Sequence, residues 1–331
     1  MESAFISCDW GTSSFRLRLI IGEELVIAEE IIGDQGIRDV NGQLTESSSE
    51  ARNQAFARVL GKAADQLSDK RSEARKLPIF VSGMASSSIG WRELPYAQLP
   101  FALSGETLVY EKFPLTTPKG HRVNVILASG IASESEIMRG EECELMGVGT
   151  LPVYGETLRD CRIILPGTHS KHAVVRNHQL VDFQTALTGE LFDVLSKHSI
   201  LANSVTVTPA PRTASPELQA AFRDGVEFVR KTGLIKSLFR VRTRQVLQKR
   251  NPETNSQFLS GLLIGAELEP LTALPDTNPI LLLAAPKFAD AYLAAADVLG
   301  LSPRLTAVPP IEVSRAAVRG QATLLKRIAL N

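Results

Sequence analysis

The sequence predicts an α/β protein in which one plan of strands and helices occurs twice. The chain opens with three short strands joined by tight turns, and a similar set begins near residue 162. In both sets a Gly-Thr pair lies between the first two strands, as Gly11-Thr12 and Gly167-Thr168. Helices and further apolar strands follow each set. We therefore expect two domains, each with a mixed sheet flanked by helices.

The first copy begins with an antiparallel meander. Phe15, Leu17 and Leu19 alternate with two arginines in its second strand, the period of a sheet with one covered face. Turn residues separate this strand from its neighbours. The expected elements are strands at 4–10, 15–21, 25–32, 79–82 and 123–128 and helices at 47–68 and 134–147.

The second copy repeats this order with more helix. Its expected elements are strands at 162–165, 172–175, 180–187, 280–284 and 305–308 and helices at 189–197, 216–232, 256–268 and 288–299. A last helix, 314–329, is expected to pack on the first half. The predicted domains are 1–155 together with 312–331, and 156–311.

Composition disfavours several classes of function. The chain has 331 residues, 44% of them hydrophobic, and 36 Lys+Arg balance 36 Asp+Glu. No net field attracts polyanions, so we expect a small-molecule partner rather than nucleic acid or a membrane surface. The sequence shows neither a secretory signal nor an apolar run of the roughly 18–20 residues that a membrane span needs, so we expect a cytoplasmic protein. Whether it forms a homodimer stays open.

The three cysteines, Cys8, Cys143 and Cys161, are widely spaced and form no Cys-x-x-Cys pair. A disulfide framework or a structural zinc site would need paired cysteines at close spacing. We therefore expect reduced, mostly buried thiols.

The most informative segment is Asp-Trp-Gly-Thr-Ser-Ser at 9–14. A carboxylate at the end of a buried strand is costly to desolvate unless a cation or donors meet it, so Asp9 is a candidate partner of hydrated Mg²⁺. Gly11 permits a tight turn, and the amides and hydroxyls of Gly11, Thr12 and Ser13 could face a phosphate. An ordinary hairpin turn is the alternative.

A second hydroxyl-rich turn, Pro-Gly-Thr-His-Ser-Lys at 166–171, lies at the equivalent place in the second copy. Two such turns could hold a polyphosphate, with a hydroxyl from Ser170 and a point charge from Lys171. A metal pair of His169 and His172 would need a third ligand that the sequence does not show. The phosphate-binding candidates here are Gly167, Thr168, His169, Ser170 and Lys171.

Together these features resemble the superfamily of sugar kinases, actin and heat-shock ATPases, whose two ribonuclease-H-like domains hold ATP in the cleft between them. Within this actin-type ATPase superfamily, the chain is similar to the 2-dehydro-3-deoxygalactonokinase family over nearly its whole length. The most specific matching segments are Leu-Pro-Gly-Thr-His-Ser-Lys at 165–171 and Leu-Ser-Gly-Leu-Leu-Ile-Gly at 259–265. Further matching segments are 9–16, 82–84, 90–96, 139–142, 188–192, 238–242 and 258–268.

The resemblance implies Mg²⁺- and ATP-dependent phosphorylation of the 6-hydroxyl of 2-dehydro-3-deoxy-D-galactonate, a step in galactonate catabolism. It implies a sugar-acid site in the first domain and a nucleotide site in the second. Related carbohydrate kinases use an Asp directly after a Gly, on a helix before the second phosphate turn, to remove the hydroxyl proton. Here Glu141 follows Gly140 in that place, so Glu141 is the candidate base and Glu142 the second candidate. Helix capping, or pairing with Arg139, is the alternative for both.

The acceptor is expected at the Gly- and Ser-rich segment 82–96, to which the resemblance also points. Hydroxyls, a cation and backbone amides suit a polyhydroxy acid. The candidate contacts are Gly83, Met84, Ser87, Trp91 and Glu93. Trp91 could instead only pack the loop. Arg16 could bind the carboxylate of the acid or a phosphate, or be a solvated strand residue.

The chain departs from the superfamily pattern where adenosine is expected. Ala284-Ala285-Pro286 stands in place of two or more glycines, which restricts the approach of a nucleotide. Cys143 and Glu144 stand where Thr and Gln are expected beside the proposed base. Two alternatives therefore remain: a kinase of another sugar or sugar acid on the same fold, and a non-catalytic nucleotide or sugar-acid sensor.

Overall fold

The chain divides into two compact units in the computed structural model, which describes residues 4–44, 46, 48–206, 215–275 and 277–330. Unit 1 comprises Met1–Gly155, His178–Val181 and Arg315–Asn331. Unit 2 comprises Glu156–Asn177 and Asp182–Ser314. Each unit combines a mixed sheet with helices, which confirms the predicted α/β fold class.

Unit 1 contains a six-stranded sheet in the order β3-β2-β1-β4-β8-β7 and a small three-stranded sheet. Its strands are β1 Phe5–Trp10, β2 Phe15–Ile21, β3 Val26–Gly33, β4 Ile79–Gly83, β5 Ala97–Gln98, β6 Phe101–Ala102, β7 Tyr110–Thr116, β8 Arg122–Ala128, β9 Ile131–Ala132 and β10 Ile137–Met138. Its first three helices are α1 Ile37–Gly42, α2 Ser49–Lys70 and α3 Glu141–Gly149. Strand β1 is antiparallel to β2 and parallel to β4, which in turn is parallel to β8.

The two faces of this sheet have different roles. Cys8 and Trp10 of β1 lie in a core cluster with Phe56 and Leu60 of α2. The alternate residue Asp9 points to the other face, because successive side chains of a strand alternate. Helix α2 therefore buries one face of the sheet, and Asp9 lies on the opposite face.

Unit 2 repeats this arrangement. Its strands are β11 Asp160–Leu165, β12 Ser170–Arg176, β13 Gln179–Ala186, β14 Ile280–Leu282 and β15 Leu305–Ala307, and its helices are α4 Thr188–His198, α5 Pro216–Thr232, α6 Leu234–Gln248, α7 Pro252–Leu268 and α8 Pro286–Val298. They are arranged as β15-β14-β11-β12-β13, with β11 antiparallel to β12 and parallel to β14. This order and these directions match β8-β4-β1-β2-β3 of unit 1, which confirms the predicted repeat.

The last helix, α9 Pro310–Leu330, packs on α3 from Arg315 onwards. A Cβ at Gly147 of α3 would lie 1.8 Å from the carbonyl oxygen of Ala316, and one at Gly320 would lie 2.0 Å from that of Cys143. Only glycine allows this separation between the two helices. Gln321 then reaches the sheet, where its Nε2 donates to Ser82 Oγ at 2.8 Å.

In unit 2, helices α5 and α7 approach each other through glycines in the same way. An added Cβ at Gly261 would lie 2.0 Å from the carbonyl oxygen of Phe222, and one at Gly225 would lie 2.3 Å from that of Phe258. The specific segment 259–265 is therefore a helix contact, and it fixes α7 against α5.

Cys8, Cys143 and Cys161 are free and buried, as predicted. Within the described part of the chain, no helix combines the length and the apolar character that crossing a bilayer requires. The predicted helix at 134–147 begins later, at Glu141, because strands β9 and β10 form before it.

Candidate functional site

The first hydroxyl-rich turn, 11–14, is held by the backbone. The Gly11 amide donates to the Ser14 carbonyl at 2.9 Å. The amides of Ile37 and Arg38, at the start of α1, donate to the carbonyls of Gly11 and Thr12, each at 3.0 Å. The side chain of Thr12 is half-buried and that of Ser13 is exposed. The turn is therefore ordered while its hydroxyls stay accessible to a ligand.

Asp9 lies directly before this turn, beside Arg16 on β2 and Ser82 on β4. Desolvation raises the pKa of Asp9, while the charges of Arg16 and Arg18 lower it in part. Arg16 is exposed, and Arg18 forms an ion pair with Glu30 at 2.6 Å. Asp9 is thus a desolvated carboxyl group, and a nearby cation would stabilise its charged form.

Helix α3 begins at Gly140, whose φ of 105° favours glycine. Glu142 Oε2 accepts a hydrogen bond from the Gly140 amide at 2.6 Å, and Glu142 is only 1% exposed. Burial raises the pKa of Glu142 to about 8, and the charge of Glu141 adds to this. Glu142 therefore has the capping role that the sequence left open for it, whereas Glu141 stays half-buried.

Glu144 joins these acids. Desolvation, together with the charges of Glu141, Asp9 and Glu142, raises its pKa to about 8. The end of β1 and the first turn of α3 therefore share one cluster of four carboxyl groups, which we call the acid cluster: Asp9, Glu141, Glu142 and Glu144.

The predicted acceptor segment meets the start of α3. The Cα of Gly83 lies 3.5 Å from the position that a Cβ on Gly140 would take. Arg139 ties the two together, because its guanidinium donates to Ser86 Oγ at 2.6 Å and stacks 3.9 Å from the centre of the Tyr96 ring. Arg139 thus organises the acceptor segment.

Two candidates in the acceptor segment are occupied internally. Ser87 is 5% exposed, and its hydroxyl donates to the Met84 carbonyl at 2.7 Å. Trp91 is 3% exposed, packs against Trp10 and donates from its indole nitrogen to Asn53 Oδ1 at 2.8 Å. For both residues the geometry favours a role in shaping the loop over the predicted contact with a ligand.

Met84 and Glu93 remain accessible. Met84 is half-buried beside Gly83, and Glu93 is exposed. Glu93 is also on the rim of a surface pocket of about 490 Å³ at the first turn of α2. The lining residues are Ser49, Glu50, Arg52, Asn53, Trp91, Arg92 and Glu93.

The second hydroxyl-rich turn, which we call the 166–170 turn, also has an accessible part. Thr168 and His169 are exposed, and Gly167 is half-buried. The Glu190 amide donates to the Thr168 carbonyl at 3.0 Å, and His169 Nε2 lies 2.6 Å from Glu190 Oε2. This turn too is fixed at its carbonyls while a hydroxyl and an imidazole face outwards.

Ser170 and Lys171 differ from their predicted roles. Ser170 is fully buried, and its hydroxyl donates to Glu267 Oε1 at 2.6 Å instead of being free for a phosphate. Lys171 is 4% exposed, and its Nζ donates to the carbonyl of His169 at 2.9 Å. Both side chains are buried, on opposite faces of β12, and their hydrogen bonds brace the turn.

Glu267 is a residue that sequence reasoning missed. It lies at the end of α7, and its carboxylate is 1% exposed. Burial by itself would raise its pKa, but hydrogen bonds from His172, Ser170 and Thr188 lower it below the ordinary value. The available signal was an acid in the otherwise apolar segment 258–268.

The segment expected to face adenosine runs from β14 into α8. Ala284 is 3% exposed, and Ala285 is the N-terminal cap of α8, followed by Pro286. Among the described residues there is no ready-made group of three or more His, Cys, Asp or Glu that could hold a metal ion. A single carboxylate such as Asp9 still fits Mg²⁺, which usually keeps several of its waters.

A repeated five-stranded plan with a hydroxyl-rich turn in each copy carries the resemblance to the sugar kinases, and the comparisons with known proteins agree with it. The chain is a kinase. It belongs to the 2-keto-3-deoxy-galactonokinase family, whose model matches residues 9–322.

Two relatives match over nearly their whole length. The chain is 29% identical to the 2-dehydro-3-deoxygalactonokinase of Escherichia coli over 325 residues, which cover 96% of this chain and 97% of that protein. It is 30% identical over 321 residues to a Rhizobium meliloti protein provisionally given the same name, with 96% of each chain covered. A crystal structure from Sinorhizobium meliloti, also provisionally named so, matches with a TM-score of 0.74 at 28% identity and covers 97% of this chain and 99% of its own.

Proposed function

We propose that this chain transfers the γ-phosphoryl group of ATP to the 6-hydroxyl of 2-dehydro-3-deoxy-D-galactonate, which gives the 6-phosphate and ADP. Family membership and the names of two full-length relatives support this substrate. The observation that carries the proposal is the contact between the acceptor segment at Gly83 and the start of α3 at Gly140. It brings a carboxylate close to the loop expected to bind the sugar acid.

Glu141 is the proposed general base. Phosphoryl transfer needs a group that accepts the proton of the attacking hydroxyl, and little other covalent chemistry. Glu142 is buried and accepts the Gly140 amide, so its carboxylate is already engaged at the helix start. Glu141, next in the chain to the Gly140 cap, is half-buried and thus more exposed than Glu142, although its Oε2 atom is enclosed.

Asp9 is the proposed partner of Mg²⁺. The ion would neutralise charge on the triphosphate. The charges of Arg16 and Arg18 lower the pKa of Asp9, whereas burial raises it. Asp9 and Glu144 are close enough for their charges to repel. Its position directly before the Gly11–Ser13 turn places the carboxylate next to the proposed phosphate contacts.

The proposed phosphate contacts lie in the two turns: Gly11, Thr12, Ser13, Gly167, Thr168 and His169. The proposed acceptor contacts are Gly83, Met84 and Glu93, with Arg16 as the cation for the acid's carboxylate. Arg16 is exposed beside Asp9, so its guanidinium is available to an anion.

The test is a coupled ADP-release assay with Mg-ATP across a panel of 2-dehydro-3-deoxy sugar acids. We expect turnover of the galactonate, and for Glu141→Gln a fall in kcat of about 100- to 10,000-fold with the sugar acid still bound, because a general base contributes about that much. Glu142→Gln is the matched control, since it keeps the shape of the neighbouring residue and should retain most of kcat.

Other outcomes would redirect the proposal. Loss of kcat in Glu142→Gln with Glu141→Gln active would assign the base to Glu142. Preferred turnover of another acid would keep the kinase and change its substrate. Absence of turnover with every acid, while nucleotide or acid still binds, would contradict the enzyme and favour a sensor.

A further inference from the structure

Glu267 is a buried carboxylate that receives hydrogen bonds from four side chains. It accepts from Ser170 Oγ at 2.6 Å, His172 Nε2 at 2.9 Å and the Tyr292 hydroxyl at 2.7 Å, and also from the Thr188 hydroxyl. These donors come from β12, the start of α4 and α8. One carboxylate therefore joins three elements of unit 2 to α7.

Burial of a carboxylate costs free energy unless its oxygen atoms accept hydrogen bonds. Transfer of an isolated carboxylate from water into a protein interior costs far more than a neutral polar group, and hydrogen-bond donors offset that cost. The four donors fill the acceptor sites of Glu267, and they lower its pKa despite burial. Glu267 is therefore charged and fully engaged at neutral pH.

Two of the donors lie next to the 166–170 turn or in the helix start that packs against it. Ser170 is the last residue of the turn. Thr188 directly precedes Gly189, and a Cβ on Gly189 would lie 2.5 Å from the carbonyl oxygen of Gly167. Glu267 thus fixes both the exit of the turn and the α4 start against which the turn packs.

Helix α7 provides a firm base for this carboxylate. Gly265, one turn from the end of α7, would place a Cβ 2.9 Å from the Cα of Val226 on α5, so the helices are in close contact up to the position of Glu267. Close-packed interiors deform little. The carboxylate of Glu267 therefore has a fixed position from which it can hold the 166–170 turn.

We propose that Glu267 is a positioning residue that holds the 166–170 turn, through Ser170 and Thr188, in the conformation that binds the phosphates of ATP. This inference rests on the proposed function, because it takes that turn to be a phosphate-binding element. Because the carboxylate of Glu267 is buried, we expect it to act on the nucleotide through the turn. Its effect should therefore appear in ATP affinity and not in affinity for the sugar acid.

The test compares steady-state kinetics of the full-length chain and of Glu267→Gln with Mg-ATP and the sugar acid. An amide replaces acceptor oxygens by a donor that faces the other donors, so the turn should lose its anchor. We expect KM for ATP to rise about tenfold or more, while KM for the sugar acid changes by less than about twofold. Calorimetric titration with Mg-ATP should show the same loss of affinity.

Asp65→Asn is the matched control. Asp65 is also a buried carboxylate, 5% exposed, and it accepts from the Thr117 hydroxyl and the Lys119 amide in unit 1. Its loss should lower thermal stability without changing KM for ATP. An equal rise in KM for ATP in both variants would show a general loss of stability and would overturn the proposal.

A second pair of variants keeps the test decisive if Glu267→Gln does not fold. Thr188→Val removes one donor with nearly unchanged shape and should raise KM for ATP, whereas Thr188→Ser retains the hydroxyl and should restore it. Unchanged KM for ATP in Thr188→Val, or in Glu267→Gln where it folds, would overturn the positioning role while leaving the kinase intact. Absence of ATP binding by the unaltered chain would instead overturn both proposals.

Discussion

The two hydroxyl-rich turns occupy equivalent places in two equivalent sheets but are stabilised in different ways. The turn of unit 1 is held by main-chain hydrogen bonds from Ile37 and Arg38. Among the described residues, the turn of unit 2 receives one comparable bond, from Glu190, and its last residue also bonds to Glu267. Repetition of a fold therefore reproduces the path of the backbone without reproducing the interactions that stabilise it.

The two units also differ in the element that carries the carboxyl group near the turn. In unit 1, Asp9 pairs across the sheet with Arg16. In unit 2, the corresponding pair, also the second from the turn, is Ile164 with His172. In unit 1 the carboxyl group, Asp9, is on the strand itself. In unit 2 it is Glu267 of α7, which bonds to His172 of the corresponding strand pair.

The largest effect is expected where both turns depend on the same feature, a glycine packed against the turn. A Cβ on Gly36 would lie 2.4 Å from the Thr12 carbonyl oxygen, and one on Gly189 would lie 2.5 Å from that of Gly167. Gly36→Ala and Gly189→Ala should each lower kcat/KM for ATP by about 100-fold, because displacing a binding group by about 1 Å costs that much.

Gly42→Ala provides the control for these variants, since an added Cβ there meets nothing within 4 Å. It should leave kcat/KM for ATP unchanged in the same assay. A large effect at only one of Gly36 and Gly189 would break the equivalence of the two turns.

The next effect is the pH dependence of the free energy of unfolding, to which the buried acids of the two units should contribute with opposite signs. The pKa values of Glu142 and Glu144 are raised to about 8 from an ordinary value of 4.5. The folded chain then holds protons that the unfolded chain releases, so this contribution to stability is complete below about pH 4.5 and is lost as pH rises to about 8. Glu267, whose pKa is lowered, contributes stability above its ordinary pKa and loses it as pH falls through the lower value.

Urea unfolding between pH 3 and pH 9 measures this difference. Glu144→Gln should flatten the decline in unfolding free energy between about pH 5 and pH 8, by about 1–3 kcal/mol. Glu267→Gln should flatten only the acid side of the curve. An unchanged alkaline decline in Glu144→Gln would contradict the shared acid cluster.

The smallest effect is expected from a side chain that supports the first turn only indirectly. Asp39 Oδ2 accepts from the Gly36 amide at 3.0 Å at the start of α1. Asp39→Ala should cost about 1 kcal/mol of unfolding free energy, as loss of a helix cap does, and change KM for ATP by less than about twofold. A rise in KM as large as that of Thr188→Val would show that side chains hold both turns alike.

Much of the fold could be predicted from sequence because it follows local patterns. The alternation in β2 and the apolar runs of β4 and β14 reflect faces that each strand buries, and the Gly-Thr pairs mark the turns. The site was predicted less completely. The sequence offered capping as one of two roles for Glu142, but it did not predict the internal hydrogen-bond partners of Ser87 and Ser170.

The sequence by itself determined the two-copy α/β plan, the position of each hydroxyl-rich turn and the family, because periodicity, glycines and short motifs are properties of neighbouring residues. Tertiary structure alone decided which polar groups remain available. Ser170 and Glu267 are 97 residues apart in the chain, yet they share a hydrogen bond. The partner of a polar side chain depends on which distant element packs against it, and that is settled only when the helices and sheets come together.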